Sequence, residues 1–397
     1  MSSTSVFPLE IQEIIINTLA EDDDGHLTLK TCSLLCQAFL PMCRKHIFAS
    51  VILNDHDAPS PTTHALERLL VKRPEIADYI RKLDYNVLVA DLASPTIQES
   101  LQRISRLESF TVRHARRPKL DWSNNPIRPA LLHLLQLPTL THFKLSGINE
   151  FVVSDLIPCI NLKYLDIGIH TTVSIETAFP AVLPEHTIQL NGFVAGIGTA
   201  TAIVKICTAL RPDGQPIVDF GSLSKIAVTI EKPDEGVASQ ELFRHCQKLT
   251  DVQLSLWDPR QVKPNFADIL RPSMQTLKCI VVDIHVEDDD NDPLFGIPSE
   301  LEDMHAKSII ESIFIKVLVQ TDGSCSRGND WGRLDEVLTS SGWSALKRVS
   351  LAIEIARSGR SDNELEVALL NLPETQFPRL SASNSVSFEF EVNTVLV

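Results

Sequence analysis

Basic charge is scarce in this sequence: 36 Lys and Arg stand against 51 Asp and Glu, leaving a formal charge of -15 over 397 residues. A chain of that sign repels phosphate backbones and anionic membranes at long range, so nucleic acid and membrane are not expected partners, whereas a basic protein surface is. Cysteine is sparse as well. Its eight residues are scattered without the spacing of a disulfide framework, and reduced thiols are expected. There is no Asn-x-Ser/Thr acceptor, and the opening residues Met1 to Gln12 lack the basic region and apolar core of a signal peptide. These absences point to the cytoplasm or nucleus. The longest apolar stretch, 192–210, is interrupted by Lys205 and by several Gly and Thr, so no membrane span is expected. The phosphate-binding G-x-x-x-x-G-K-[ST], the zinc-hydrolase H-E-x-x-H and the serine-hydrolase G-x-S-x-G patterns are also missing.

What is present is an apolar fraction of 44%, enough for most of the chain to fold. Residues 1–50 read as three short helices. Pro8 suits a first helical turn, and Leu9, Ile11, Ile14, Ile15, Ile16 and Leu19 give the helix after it an apolar surface too wide for one partner; the run Glu21 to Gly25 ends it. Thr28 can cap a second helix carrying Leu29, Cys32, Leu35, Cys36 and Phe39 at helical spacing, and Pro41 restarts a third with Met42, Cys43, His46 and Ile47.

From residue 60 to 397, helical stretches alternate with short extended ones. Helices are expected at 63–72, 96–106, 128–137, 199–210, 239–246, 265–270, 300–310, 331–339 and 364–370. Between them recurs L-x-x-L-x-L, with aliphatic or aromatic residues at the marked positions. It occurs at Leu107/Phe110/Val112, Leu140/Phe143/Leu145, Leu162/Leu165/Ile167, Leu223/Ile226/Val228, Leu249/Val252/Leu254, Leu277/Ile280/Val282, Ile310/Ile313/Ile315 and Leu346/Val349/Leu351. Spacings run from 22 to 36 residues, with one gap of 61 that has room for two units. In such a unit the first residue closes a turn and the next two face one side of a short strand, which stays unburied until a neighbour stacks on it. The fold class expected is therefore α/β: a three-helix module followed by an irregular solenoid with a curved parallel sheet.

Candidate chemistry is thin. Cys32, Cys36, Cys43 and His46 do not have paired-knuckle zinc spacing and read as core residues. The acidic loop at 288–293 starts like an EF-hand but holds Pro293 where the turn needs Gly. It reads instead as an exposed, solvated loop. Gly196-Ile197-Gly198 has the place of a dinucleotide loop, yet Thr201 stands at the third glycine position. The basic cluster Arg113, Arg116, Arg117 and Lys119 reads as an exposed loop. No catalytic residue, metal ligand or cofactor is assigned.

Phe7-Pro8-Leu9-Glu10-Ile11, then Ile14-Ile15 and Leu19, then Leu29 to Phe39, and finally His46-Ile47-Phe48 resemble in order and spacing the F-box of the large fungal F-box families. Phe7, Leu35 and Phe39 replace that family's leucine, valine and tryptophan. The resemblance covers about a tenth of the chain and implies binding to a Skp-type adaptor of a cullin-RING ubiquitin ligase. Carried over by position, the docking residues are Phe7, Pro8, Ile11, Ile14, Leu29, Leu35, Cys36 and Phe39, each of which can also be plain core. The remainder resembles a degenerate leucine-rich repeat array that would present a protein substrate. It departs from that family at Ala115, Ile148, His170, Glu231, Trp257, His285 and Glu354, where an inward Asn or Cys usually satisfies the turn. The expectation is a substrate-recruiting adaptor that is not an enzyme. The alternatives are a non-degradative interaction scaffold and an α/β enzyme with a site near Gly196 and Gly198.

Overall fold

The computed structural model describes residues 8–22, 25–35, 37–54, 62–115, 119–175, 179, 182–257, 265–286, 292–305, 308–320, 330–357 and 364–396. The chain divides into two compact units, one of residues 1–162 with 180–186, the other of residues 163–179 with 187–397.

The first unit begins with helices α1 (Leu9–Glu21), α2 (Gly25–Leu35) and α3 (Phe39–Ile47). Four parallel strands follow: β1 (Ser50–Leu53), β2 (Lys82–Asn86), β3 (Ser109–Arg113) and β4 (His142–Ser146). They pair in chain order, each with the next. Helices α4 (Thr63–Lys72), α5 (Pro95–Gln102) and α6 (Arg128–Leu135) connect them. The second unit continues the scheme with β5 (Tyr164–Ile167), β6 (Gly192–Ala195), β7 (Lys225–Ile230), β8 (Asp251–Trp257), β9 (Cys279–Val286), β10 (Ser312–Gln320), β11 (Arg348–Arg357) and β12 (Ser387–Leu396). All are parallel and again paired in chain order. Between them run α7 (Ala200–Thr208), α8 (Pro233–Arg244), α9 (Phe266–Leu270), α10 (Ile297–Met304), α11 (Asp330–Leu338) and α12 (Glu364–Leu370). The α/β class and its parallel strands thus match expectation.

Every residue of the eight L-x-x-L-x-L triplets is at most 5% exposed. The motif falls on β3, β4, β5 and β7 to β11. Among the described residues the long gap holds one further strand of this parallel series, β6, with Leu190, Phe193 and Ala195 buried at the three positions. An alanine at the third position hid it from the pattern. Along β9 and β10 buried residues alternate with half-exposed or exposed ones, so one face of these strands is packed and the other open. Strands in a doubly wound sheet are buried on both faces.

A hydrogen-bond device precedes nearly every strand. One carbonyl accepts from two consecutive amides of the next unit: Ala49 from Arg81 and Lys82, Glu108 from Thr141 and His142, Ser224 from Thr250 and Asp251, Lys278 from Glu311 and Ser312. The same geometry recurs at Arg81, Lys163, Asn191, Thr250 and Glu311. The turn before the strand therefore stacks without room for an insertion, while connections after the strand vary.

Carboxylates join the helix starts. Glu235, 2% exposed, accepts from the Gly198 amide at the head of α7 and from Glu231 and Lys232 at its own. Glu300 of α10 accepts from Ala267 of α9 at 2.9 Å, Asp330 of α11 from Gly296 ahead of α10 at 3.0 Å, and Asp335 of α11 from Arg379 and Leu380 at 3.0 and 2.8 Å. Amides at or beside one helix start are thus satisfied by a carboxylate of a neighbouring helix, the next one for Glu235, Glu300 and Asp330 and the preceding one for Asp335.

Several boundaries differ from expectation. α2 starts at Gly25 instead of at a Thr28 cap, and a Cβ at Gly25 would collide with the Leu19 carbonyl, so glycine fits there where other residues would not. α8 and α10 start several residues early, at Pro233 and just before Pro298, prolines in a first turn that the expected helices at 239–246 and 300–310 left out.

Replacing Ile280, fully buried in β9, by Ala is expected to lower unfolding free energy by roughly 2–5 kcal/mol. Val281→Ala, on the open face, should stay within about 1 kcal/mol; urea titration of both compares them. Burial holds the Glu300 carboxyl up at about 7, opposed by the Ala267 hydrogen bond and assisted by Asp303 and Asp268. Between its ordinary 4.5 and that value the folded chain keeps a proton that the unfolded chain releases. Its stabilising contribution is therefore full below about 4.5 and lost as pH rises through about 7. Glu300→Gln removes this slope, so its melting temperature relative to the parent should rise from pH 5 to pH 8.

Candidate interaction surfaces

α1, α2 and α3 meet through one residue each: Ile16, Leu29 and Cys43, at 1%, 3% and 0% exposure, ringed by Leu19, Ala20, Cys32, Phe39, Met42 and Ile47. His46 Nε2 lies 2.8 Å from Asn17 Oδ1 and ties α3 to α1. Burial and the neighbouring Lys45 push the His46 imidazole below its usual range, which keeps it neutral beside the asparagine. Gln12 and Ile16 turn inward on α1. Ile11, Ile14 and Ile15 therefore face out, at 43%, 58% and 40% exposure, with Leu9 at 62%. On α2, Leu27, Leu34 and Leu35 are 67%, 87% and 73% exposed. A scattered exposed leucine is ordinary, but seven large aliphatics standing in water on two adjacent short helices make a candidate contact surface.

The residues expected to dock fall into two sets. Pro8, Ile11, Ile14 and Leu35 are exposed, whereas Leu29 is core and Phe39 packs against it. Phe7 and Cys36 lie outside the described residues. Leu34, the most exposed of the seven, was not singled out in the sequence. The signal was available in the helical spacing, which sets Leu27 and Leu34 on a side away from Leu29 and Cys32.

Other sequence candidates resolve into structural roles. Cys43 belongs to the core and His46 to the asparagine contact. Residues 287–291 of the acidic loop lie outside the described residues. Asp292, expected to be exposed, is 6% exposed and accepts from the Leu294 amide at 3.0 Å, as an Asx turn does. Gly198 does follow a strand and precede a helix, with φ of +72°, but its amide faces the Glu235 carboxylate where a dinucleotide loop would face phosphate. Among the described residues the parallel strands of this unit follow chain order without reversal, and they form no switch-point crevice of the kind that holds ligands in open α/β sheets. Arg113 forms a two-pronged pair with Asp84 at 3.0 and 2.5 Å, and Arg116 and Arg117 lie outside the described residues.

A second surface lies on the open face of β8 to β12. The Trp257 and His285 rings stack with centroids 4.7 Å apart and planes 7° from parallel, at positions where a regular repeat would place a turn-capping Asn. An asparagine pair does bond backbone at the first two strands, Asn54 Nδ2 to the Asn86 carbonyl at 3.0 Å and Asn86 Nδ2 to that of Asn54 at 3.1 Å. On β9, Asp283 Oδ2 accepts from Gln253 and, at 3.4 Å, from Ser255. Its Oδ1 is buried with no hydrogen-bond partner among the described residues. Beside it opens a shallow groove of about 240 Å³, floored by Leu318 and Ala352 and bordered by Lys316, Glu354 and Asn393. Arg348 sits over the Phe314 ring at 5.2 Å and pairs with Glu389 at 2.6 Å.

These features define an α/β chain of parallel, sequentially paired strands carrying an exposed apolar helical module and an open polar strand face. No protein-family model matches the chain, and no curated protein matches it as a relative.

If Leu29 is core and Ile14 surface, Leu29→Ala should speed amide hydrogen exchange throughout α1 to α3. Ile14→Ser should leave protection within a factor of about three, since surface substitutions stay near 0.5 kcal/mol.

Proposed function

We propose that the chain is a substrate-recruiting adaptor of a cullin-RING (SCF-type) ubiquitin ligase and carries out no chemistry itself. In this reading α1 to α3 form an F-box-like module. Pro8, Ile11, Ile14 and Leu35 contact a Skp-type adaptor, while Leu29 and Phe39 hold the helices that present them. The observation that carries the reading is the row of solvent-exposed aliphatics on α1 and α2, which water disfavours and an apolar partner would cover. The region beyond residue 60 then acts as a leucine-rich-repeat-like solenoid that holds a protein substrate. Its support is the recurring buried triplet, the stacked turn carbonyl and strands packed on one face. An acidic chain of charge -15 favours a substrate with a basic surface.

The test replaces Ile11 and Ile14 by Asp in the full chain. Both are exposed, so far-ultraviolet circular dichroism should not change. An unpaired carboxylate in a desolvated contact costs on the order of 2 kcal/mol or more, so capture of a Skp-type adaptor should weaken by roughly 30-fold or beyond. Undiminished capture by the double variant would refute the docking assignment. Capture without ubiquitylation of the co-purified proteins would favour a non-degradative scaffold.

A further inference from the structure

We propose that the groove on the open face of β9 to β12 binds an extended polypeptide segment carrying alternating aliphatic and basic side chains. The inference takes from the reading above only that this region presents a protein substrate, and its test involves no ligase. Two rows of side chains cross the strands in register. One runs Trp257, His285, Leu318, Glu354, Asn393 and the other Ser255, Asp283, Lys316, Ala352, Glu391. Five adjacent strands at about 4.8 Å spacing span about 19 Å, the length of roughly six extended residues.

The chemistry along the rows changes from one end to the other. At the β8 and β9 end lies a flat ring platform, Trp257 on His285, both half-buried. Leu318 continues the apolar strip on β10. The small Ala352 on β11 makes the dip, and nothing larger fills it among the described residues. Beyond stand the exposed Glu354 and Glu391. On the near side stands the Asp283 carboxylate, whose Oδ2 accepts from Gln253 and Ser255 and whose Oδ1 is buried without a donor among the described residues, leaving a negative charge beside the groove. Lys316 is the one cation bordering the groove among the described residues, against Asp283 and Glu354. An aliphatic or arginine side chain suits the ring platform and the dip, and guanidinium or ammonium groups suit the carboxylates. An acidic segment would meet carboxylates on both sides.

The experiment measures fluorescence anisotropy of a labelled hexapeptide of alternating leucine and arginine against the full chain, with a leucine–glutamate hexapeptide beside it. Saturable binding of the arginine peptide alone is expected. Glu354→Gln should weaken it about tenfold, the size of one charge-assisted contact. Lys316→Gln should tighten it, a change of sign that damage to the fold would not produce. Asp234→Asn with Glu99→Gln, two exposed acids far from these strands in sequence, should leave it unchanged. The proposal is overturned if both peptides bind alike, if neither binds, if the groove variants have no effect, or if the remote pair weakens binding as much as Glu354→Gln. Since adaptor capture is read separately, failure here leaves the ligase reading standing, and the reverse also holds.

Discussion

One carbonyl in the turn before nearly every strand accepts two amides from the next unit, and the rest of the architecture is arranged around that contact. It sets consecutive strands parallel and in register. A one-residue slip would invert the faces of a strand and carry apolar residues such as Ile280 and Val282 into water. Once the turns stack, the first residue of each triplet lies over its counterpart, as Leu249 precedes Leu277 and Leu277 precedes Ile310, all fully buried. The remainder of each unit is free to change length, which is why the spacing wanders between 22 and 36 residues without disturbing the pairing.

The helices need a second device, because a helix start leaves amides unsatisfied and short helices have several starts to settle. Here a carboxylate from a neighbouring helix does it, the following one for Glu235, Glu300 and Asp330 and the preceding one for Asp335. Glu235, Glu300, Asp330 and Asp335 each reach a helix start or the turn beside one, 34 to 45 residues away for the last two and 33 or 37 for the others. Part of the acidic excess is therefore internal. Burial pushes the Glu300 carboxyl up, and the Ala267 amide donation is too weak to offset the lost hydration.

The two candidate surfaces differ in what they ask of a partner. α1 and α2 offer aliphatic area and little else, so affinity there would come from removing water. The open strand face offers rings, a small-residue dip and carboxylates, so it would discriminate by charge. Both exist because the packing is incomplete: the short α2 and α3 cannot enclose α1, and strands such as β9 and β10 are packed on one face only.

The repeat pattern by itself determined where most strands lie and which side of each is buried, because alternation and a recurring triplet express burial directly. β6 escaped through its alanine. β2 carries the full triplet in Ile80, Leu83 and Tyr85, all buried, whereas β12 has Ser385 at the first position. The apolar excess of α1 was legible too, but not which of the eight expected docking residues are core. Only tertiary packing separates Leu29 from Leu35, since both are leucines on one helix and the choice depends on where Ile16 and Cys43 come to rest. The carboxylate bridges, the Trp257–His285 stack and the groove over Ala352 join residues from 28 to more than 40 positions apart. Local patterns describe a residue's own helix or strand, and contacts across units form only when units stack.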